Sequence, residues 1–408
     1  MQSILSDFSF AFRNTVRHRR RSAIAVAAVA FGIASLVLAS GFIEWMLIEF
    51  RETTIKSQLG HMQIMRPGYQ NAGKADPFAY LLPKRVPQLA ANESQQIKII
   101  APRLSFGGLI SHGESTLSFI GEGVGPTEEA AFGNALKISA GHNLSTDDPS
   151  GIIVGEGLAR NLGVNVGQKV TLLANTASRG INAVEVTIRG LFSTVTKSYD
   201  DAALRMPIAT ARKLLRTDGS HVWVVLLNDT AQTDIVLAEL RGELQREEFE
   251  IVPWYVLADF YNKTEVLFST QVHGIKLIIA SIILLSISNT MTTNVMLRIG
   301  EIGTSMALGV KRKGIIRLFL SEGILLGCIG GLLGLIVGLL LAYILSGIGI
   351  PMAPPPGMSR SFTGQILVTW NAALESLGLA IGTTLLASIY PAWKASRMQI
   401  VDALRHNR

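Results

Sequence analysis

Four histidines (His61, His112, His142 and His221) and two acidic pairs (Asp147–Asp148 and Asp200–Asp201) have the chemistry for metal binding or general acid–base catalysis in this 408-residue chain. Their spacing speaks against both. The histidines are far apart with no ligand spacing, and the aspartate pairs read as turn and surface acids. The single cysteine, Cys328, sits in an apolar run, so neither an internal disulfide nor a cysteine metal site is possible. The glycines after Glu322 lack the lysine that completes a G-x-x-x-x-G-K-[ST] phosphate loop, and H-E-x-x-H and G-x-S-x-G are absent. The expectation is a chain that is not itself an enzyme, with no catalytic, metal or cofactor residues. If ATP and magnesium are used, another chain must bind them.

The remaining pattern is mechanical. In "RIGEIGTSMALGV" (298–310), placed on a helix, Ile299, Ile302, Met306 and Val310 share one side at spacings of three, four and four. Arg298, Glu301 and Ser305 share the adjoining polar face. Gly309 is placed to stop the helix, and Lys311, Arg312 and Lys313 hold the next turn at a lipid surface. Two readings fit equally. The segment is a handle whose apolar stripe a soluble partner seats in a groove, or a connector resting on the membrane.

What this segment joins is set by composition. Hydrophobic residues make up 48% and charged residues only 16%, against a soluble norm of about a quarter charged. Four segments are long and apolar enough to span a bilayer: Ser22 to Ile43, Leu277 to Leu297, the run after Glu322 to about Ser346, and about Ile366 to Trp393, the last carrying Glu375 near its start. Lys and Arg cluster before the first span (Arg13, Arg17, Arg19, Arg20, Arg21), between the second and third (Arg298, Lys311, Arg312, Lys313, Arg317) and after the fourth (Lys394, Arg397, Arg405, Arg408). The loop between the third and fourth has only Arg360. Both termini are therefore expected in the cytoplasm, with the long segment from about 51 to 270 on the far side. The net charge of +7 is mostly this topology signal, which argues against nucleic acid as a partner. The first span reads as an uncleaved anchor rather than a signal peptide. Ile4, Phe8, Phe12 and Val16 before it make a stripe fit for a helix in the inner membrane surface.

The far-side segment is soluble in character. "AVEVTIRGLF" and "HVWVVLLND" read as strands, "DPSGIIVGEGLARNLGVNVGQKVTLLAN" as strand, short helix, turn and strand, and "ATARKLLR" and "TDIVLAELRGELQREEF" as helices. In the third span, Gly327, Gly330, Gly331, Gly334 and Gly338 give overlapping G-x-x-x-G spacings, which permit close contact with span two or four of the same chain, or with a second chain. Asn289 and Asn294 in span two are costly in lipid and should face protein or a cavity. Glu44 and Glu49 are expected at the outer boundary. "MAPPPGM" reads as a stiff extended loop.

Several motifs carry a resemblance. Arg298, Glu301, Ile302, Gly303, Ala307, Leu308 and Gly309 match the coupling segment of the FtsX-like permease family, with Ile299–Gly300 and Ser305–Met306 as departures. The tail resembles the same family's ending at Pro391, Ala392, Ala395, Ala403, Leu404 and Arg405, with Ile400 where proline is usual. "GIIVGEGLARNLGVNVGQKVTLL" with "RGLFSTVTKSYDDAALRMPIATARKLL" is similar to the exported core of macrolide-exporter and lipoprotein-releasing permeases, and "GHMQIMRPGY" leans toward the latter.

The resemblance implies a membrane α-helical fold of four transmembrane helices with a large α+β extracytoplasmic domain inserted between helices 1 and 2. The segments would be a leader (1–21), first span and stalk (22–50), periplasmic core (51–265), stalk and second span (266–297), coupling helix (298–317), third span (318–346), Pro-rich loop (347–365), fourth span (366–393) and tail (394–408). It implies a permease of an ABC system in the bacterial inner membrane. The expected partners are a cytoplasmic ATPase that binds ATP and magnesium, a second permease chain, membrane lipid and a periplasmic lipoprotein carrier. ATPase coupling would fall to Arg298, Glu301, Ile302, Met306, Leu308 and Gly309. The expected activity is release of lipoprotein or lipid from the outer leaflet, with control of a cell-wall hydrolase, or efflux of a small toxic compound or peptide, as alternatives.

Overall fold

The computed structural model describes residues 19–73, 75–87, 96–132, 136–194, 196–352 and 362–398. The leader stripe, the "APPPGM" core of the Pro-rich loop with Arg360, and the tail positions Ile400, Ala403, Leu404, Arg405 and Arg408 lie outside these residues. The chain divides into two compact units, one helical and one, Glu49–Lys263, of α+β type.

The elements in chain order are α1 (Arg19–Thr54), β1 (Met62–Met65), β2 (Ile97–His112), β3 (Ser115–Val124), β4 (Lys137–Gly141), β5 (Gly151–Gly155), α2 (Glu156–Leu162), β6 (Lys169–Asn175), β7 (Ile181–Ser193), β8 (Ala203–Pro207), α3 (Ile208–Leu215), β9 (Val222–Leu227), α4 (Thr233–Glu243), β10 (Glu250–Pro253), α5 (Asp259–Leu297), α6 (Ile299–Ala307), α7 (Arg312–Ile348) and α8 (Trp370–Ser396). Helix α4 is shorter than the pattern through Phe249 predicts. Gly242 weakens its last turn and Leu244 turns extended at φ −90°, ψ 137°.

Strands β5, β8 and β9 are buried along their whole length, so successive residues face opposite cores. Strands β10, β1, β9 and the first half of β2 form an open sheet. Trp223, Val225 and Leu227 of β9 face α4, packing with Val236, Leu237 and Leu240. Val222, Val224 and Leu226 face the other way, onto Phe50, Ile55, Trp254 and Tyr261. The second half of β2 leaves this sheet and pairs with both β3 and β6. Because β6 also pairs with β7, the order β2-β3-β8-β5-β7-β6 closes on itself. Its interior is filled by alternate residues such as Leu104, Ile110, Ile152, Val154, Val170, Leu172, Val186, Ile188, Leu204 and Met206. Closure leaves these strands no free edge, which suits a domain without disulfides.

Polar groups fix the turn that follows α1 within this unit. Past Thr54 the chain winds through a wider π-type turn, Ile55–Leu59, closed by Gly60 N–H donating to the Ile55 carbonyl at 2.8 Å. Gly60 has φ +65°, and a Cβ there would lie 2.8 Å from the Val225 carbonyl oxygen, so glycine is required. The buried Arg205 donates to the Ser57 carbonyl at 3.1 Å and pairs with Glu122 and Glu129, each at 3.0 Å. Arg103 meets Glu129 at 2.8 Å. Burial pushes the Glu122 carboxyl up, but Arg205 and Arg103 outweigh it and hold the group ionised.

His61 and His221 are nearly inaccessible and play structural parts. Leu227 N–H donates to His61 Nδ1 at 3.0 Å, which leaves the proton on Nε2, 3.0 Å from Thr230 Oγ1. Thr230 in turn donates to Glu52 at 2.9 Å. Ser105 N–H donates to His221 Nδ1 at 3.1 Å. Burial lowers both pKa values from 6.5 to about 4. As pH falls through the window from about 6.5 to about 4, the unfolded chain takes up protons that the folded unit refuses, so stability falls across it. Thermal unfolding of the full chain should therefore drop in this window, by up to ~3 kcal/mol per histidine. His61→Asn with His221→Asn keeps an acceptor oxygen and should flatten the decline; an unchanged slope contradicts the assignment.

Candidate functional site

Among the described residues, four helices are long and apolar enough to cross a membrane, α1, α5, α7 and α8. Their shared core is spaced at helical repeats: Ala25, Val29, Ile33 and Val37 on α1, Ile279, Ile283, Ile287, Met291 and Val295 on α5, Leu326 on α7, and Ala380 and Ala387 on α8. Helix α7 is the centre of contact, and its glycines form two stripes. A Cβ at Gly330 would lie 2.7 Å from Val29 Cβ, at Gly334 2.5 Å from the Ala30 carbonyl oxygen, and at Gly338 3.1 Å from Val37 Cβ. At Gly327 it would lie 2.2 Å from Thr384 Oγ1, and at Gly331 2.9 Å from Leu377. One stripe thus meets span four, as the spacing allows. The other meets span one, a neighbour outside the expected choices of span two, span four or a second chain. The glycine repeat identifies which residues share a stripe but not which neighbour fills it.

Charges and amides in the spans are distributed unevenly. Glu375 of α8 pairs with Lys276 of α5 at 2.5 Å, which explains how an acid is carried at the start of a span. Asn294 is buried, whereas Asn289 lies exposed on α5 among Ile282 and Leu285. Glu44 and Glu49 are exposed.

The segment between α5 and α7 forms the short helix α6. Arg298 interrupts the helical path at φ −107°, ψ 16°, so the break is one residue long. At the far end Leu308 N–H donates to Thr304 and Gly309 N–H to Met306, and Gly309 adopts φ +97°. Lys311 then starts α7. The apolar side of α6 turns inward: Ile299 and Ile302 are buried and Met306 packs on the core that includes Ile315 and Phe319. Val310 lies past the helix end and is exposed. The outward surface is Glu301, Thr304, Ala307, Leu308 and Gly309, with Leu308 83% exposed. Of the six residues expected to couple, Glu301, Leu308 and Gly309 are on this outer surface, Ile302 and Met306 brace the helix from behind, and Arg298 is buried.

Arg298 is held by a residue the sequence reading passed over as a span boundary. Its guanidinium lies 3.5 Å from Glu322 of α7, 3.2 Å from Glu301, and over the Phe319 ring at 5.7 Å to the centroid. A lone acid at the edge of an apolar run, three residues after a phenylalanine, is the signal that could have drawn attention to Glu322. Among the described residues no group of three or more His, Cys, Asp or Glu side chains is arranged to hold a metal.

Comparison with known proteins adds two family matches. Residues 22–243 match the MacB-like periplasmic core domain, and residues 275–400 match the FtsX-like permease C-terminal domain. A lipoprotein-releasing system transmembrane protein LolC from Xylella fastidiosa is 26% identical over 317 residues, covering 70% of this chain and 72% of the relative. The LolC of Neisseria meningitidis is 24% identical, covering 75% and 77%. A macrolide export ATP-binding/permease protein MacB from Sodalis glossinidius is 26% identical, covering 95% of this chain and 58% of the relative.

The close packing of α7 can be tested with matched substitutions. Gly334→Leu should lower the stability of the detergent-solubilised chain by about 1–3 kcal/mol through overpacking against Ala30. Gly382→Leu on α8, where nothing lies within 4 Å of a new Cβ, should cost much less. Equal thermal shifts for both would contradict the placement.

Proposed function

The chain belongs to the family built from a MacB-like periplasmic core and an FtsX-like permease domain and is a permease of ABC-transporter type; we propose that it extracts lipoprotein or lipid from the outer leaflet of the bacterial inner membrane. ATP is bound with magnesium and hydrolysed by a separate cytoplasmic subunit, and the released cargo passes to a periplasmic carrier. Both termini and α6 are on the cytoplasmic side, and the Glu49–Lys263 unit is outside. The observation that carries the reading is α6, a helix attached to α5 across one residue and to α7 across four, with its inner face braced and Leu308 outermost. A helix so tied moves two spans when a bound partner tilts it. The lipoprotein class rests on the two LolC relatives, each covered over more than two thirds of its length.

Asn289 supports a second permease chain along α5, because an exposed amide in lipid needs a polar partner. The Sodalis relative, named for macrolide export and matching nearly the whole chain, favours a second reading in which the cargo is a small toxic compound.

Reconstitution with the ATPase in vesicles carrying an acylated lipoprotein tests the first reading. Release should require ATP, and Glu301→Lys or Gly309→Pro should cut release roughly tenfold while ATP hydrolysis persists. Release without ATP, or both variants behaving as wild type, contradicts it.

A further inference from the structure

We propose that Glu322 is a positioning residue, pinning the joint between α5 and α6 to α7 through Arg298 so that α6 acts as a lever with a fixed pivot. The inference rests on the coupling reading of α6. Arg298 belongs to both helices through its backbone. Its N–H donates to the Asn294 and Val295 carbonyls of α5, each at 3.2 Å, while its own carbonyl accepts from Ile302 N–H of α6 at 2.9 Å. Its side chain pairs with Glu301 of α6 at 3.2 Å and also reaches a third helix, through Glu322 and the fully buried Phe319. Three helices therefore meet at one residue.

Charge and burial make the contact obligatory. The Arg298 and Glu322 side chains are 7% and 5% exposed, and a buried charge whose counter-charge is removed is strongly disfavoured. Buried pairs contribute little to stability compared with apolar residues of the same size, so the pair's consequence is the geometry it imposes. That geometry is asymmetric. At the Arg298 end, α6 is bound to α7 by charge and by packing. At the other end, Gly309 sits at φ +97° with nothing within 4 Å of its Cβ position, and Leu308 to Arg312 are exposed. A push on the outer surface of α6 thus swings its Gly309 end about Arg298. Because the pivot is fastened to α7 as well as α5, the load enters both spans. Without the pin, the one-residue break would flex and absorb it.

Pulsed electron paramagnetic resonance on the full chain in lipid nanodiscs, without ATPase, tests this. Spin labels are placed at Thr304→Cys on α6 and Ile336→Cys on α7, in a Cys328→Ala background. Wild type should give a narrow distance distribution. Arg298→Glu and Glu322→Arg should each broaden it roughly twofold, and the double exchange, made together with Glu301→Gln so that no second carboxylate faces position 298, should restore it. Glu322→Gln, which keeps the shape, gives an intermediate width and serves if the reversals fail to fold. Equal widths in all variants overturn the proposal, as does a double exchange as broad as the singles, which would mean packing rather than pairing. In the complex with ATPase, the singles should lower the maximal rate of ATP-driven release without changing the KM for ATP, and the exchange should recover it. The distances are read without ATPase, so a failure there leaves the coupling reading intact. Absence of ATP-driven release in the wild-type complex counts against that reading and leaves the pin standing.

Discussion

Close approach of α7 to its neighbours is the constraint on which the helical unit depends. In lipid, apolar side chains gain nothing by leaving one apolar environment for another, so helices associate through backbone proximity and dispersion. Gly330, Gly334 and Gly338 bring α7 against α1, and Gly327 and Gly331 bring it against α8. At Gly327, Gly330 and Gly334 the contacts place atoms where a Cβ would collide. Once α7 is held on two sides, the Arg298–Glu322 pair has a fixed post to attach to, and α6 acquires a defined pivot. Loosening α7 would leave that pivot without support.

The α+β unit solves a different problem with the same economy. Without a disulfide it closes six strands into a barrel, and it pairs four buried or nearly buried charges beside the Ser57 carbonyl. Arg205 reaches three elements at once: Glu122 on β3, Glu129 in the following turn, and the carbonyl of Ser57. Two of the four histidines that could have suggested catalysis, His61 and His221, are held neutral by burial and used as hydrogen-bond posts.

Much of this was legible from local pattern, because helical and strand repeats are local. The spans, the α6 stripe, the strand in "HVWVVLLND" and the glycine spacings follow from periods of 3.6 and 2. What was not legible depends on long-range pairing. Barrel closure requires Gly108–Ser111 to meet Thr171–Ala174, and nothing in either strand names the other. The Ile299–Ile302–Met306 stripe was readable as apolar, but whether it faced a partner, lipid or the chain's own core was set by Phe319 and Ile315 on another helix. Arg298 and Glu322 could each be singled out as a boundary base and a boundary acid, but only folding makes them a pair.

The central claim is that force from a separate ATP-hydrolysing subunit enters through the outer surface of α6. Cysteine cross-linking from the most exposed point of that surface tests it most directly, using Leu308→Cys in a Cys328→Ala background within the native membrane. The account predicts a covalent adduct between this chain and the ATPase whose yield changes on adding ATP. A cysteine at 308 that yields no such adduct and is modified only by impermeant reagent from the outer side would contradict it.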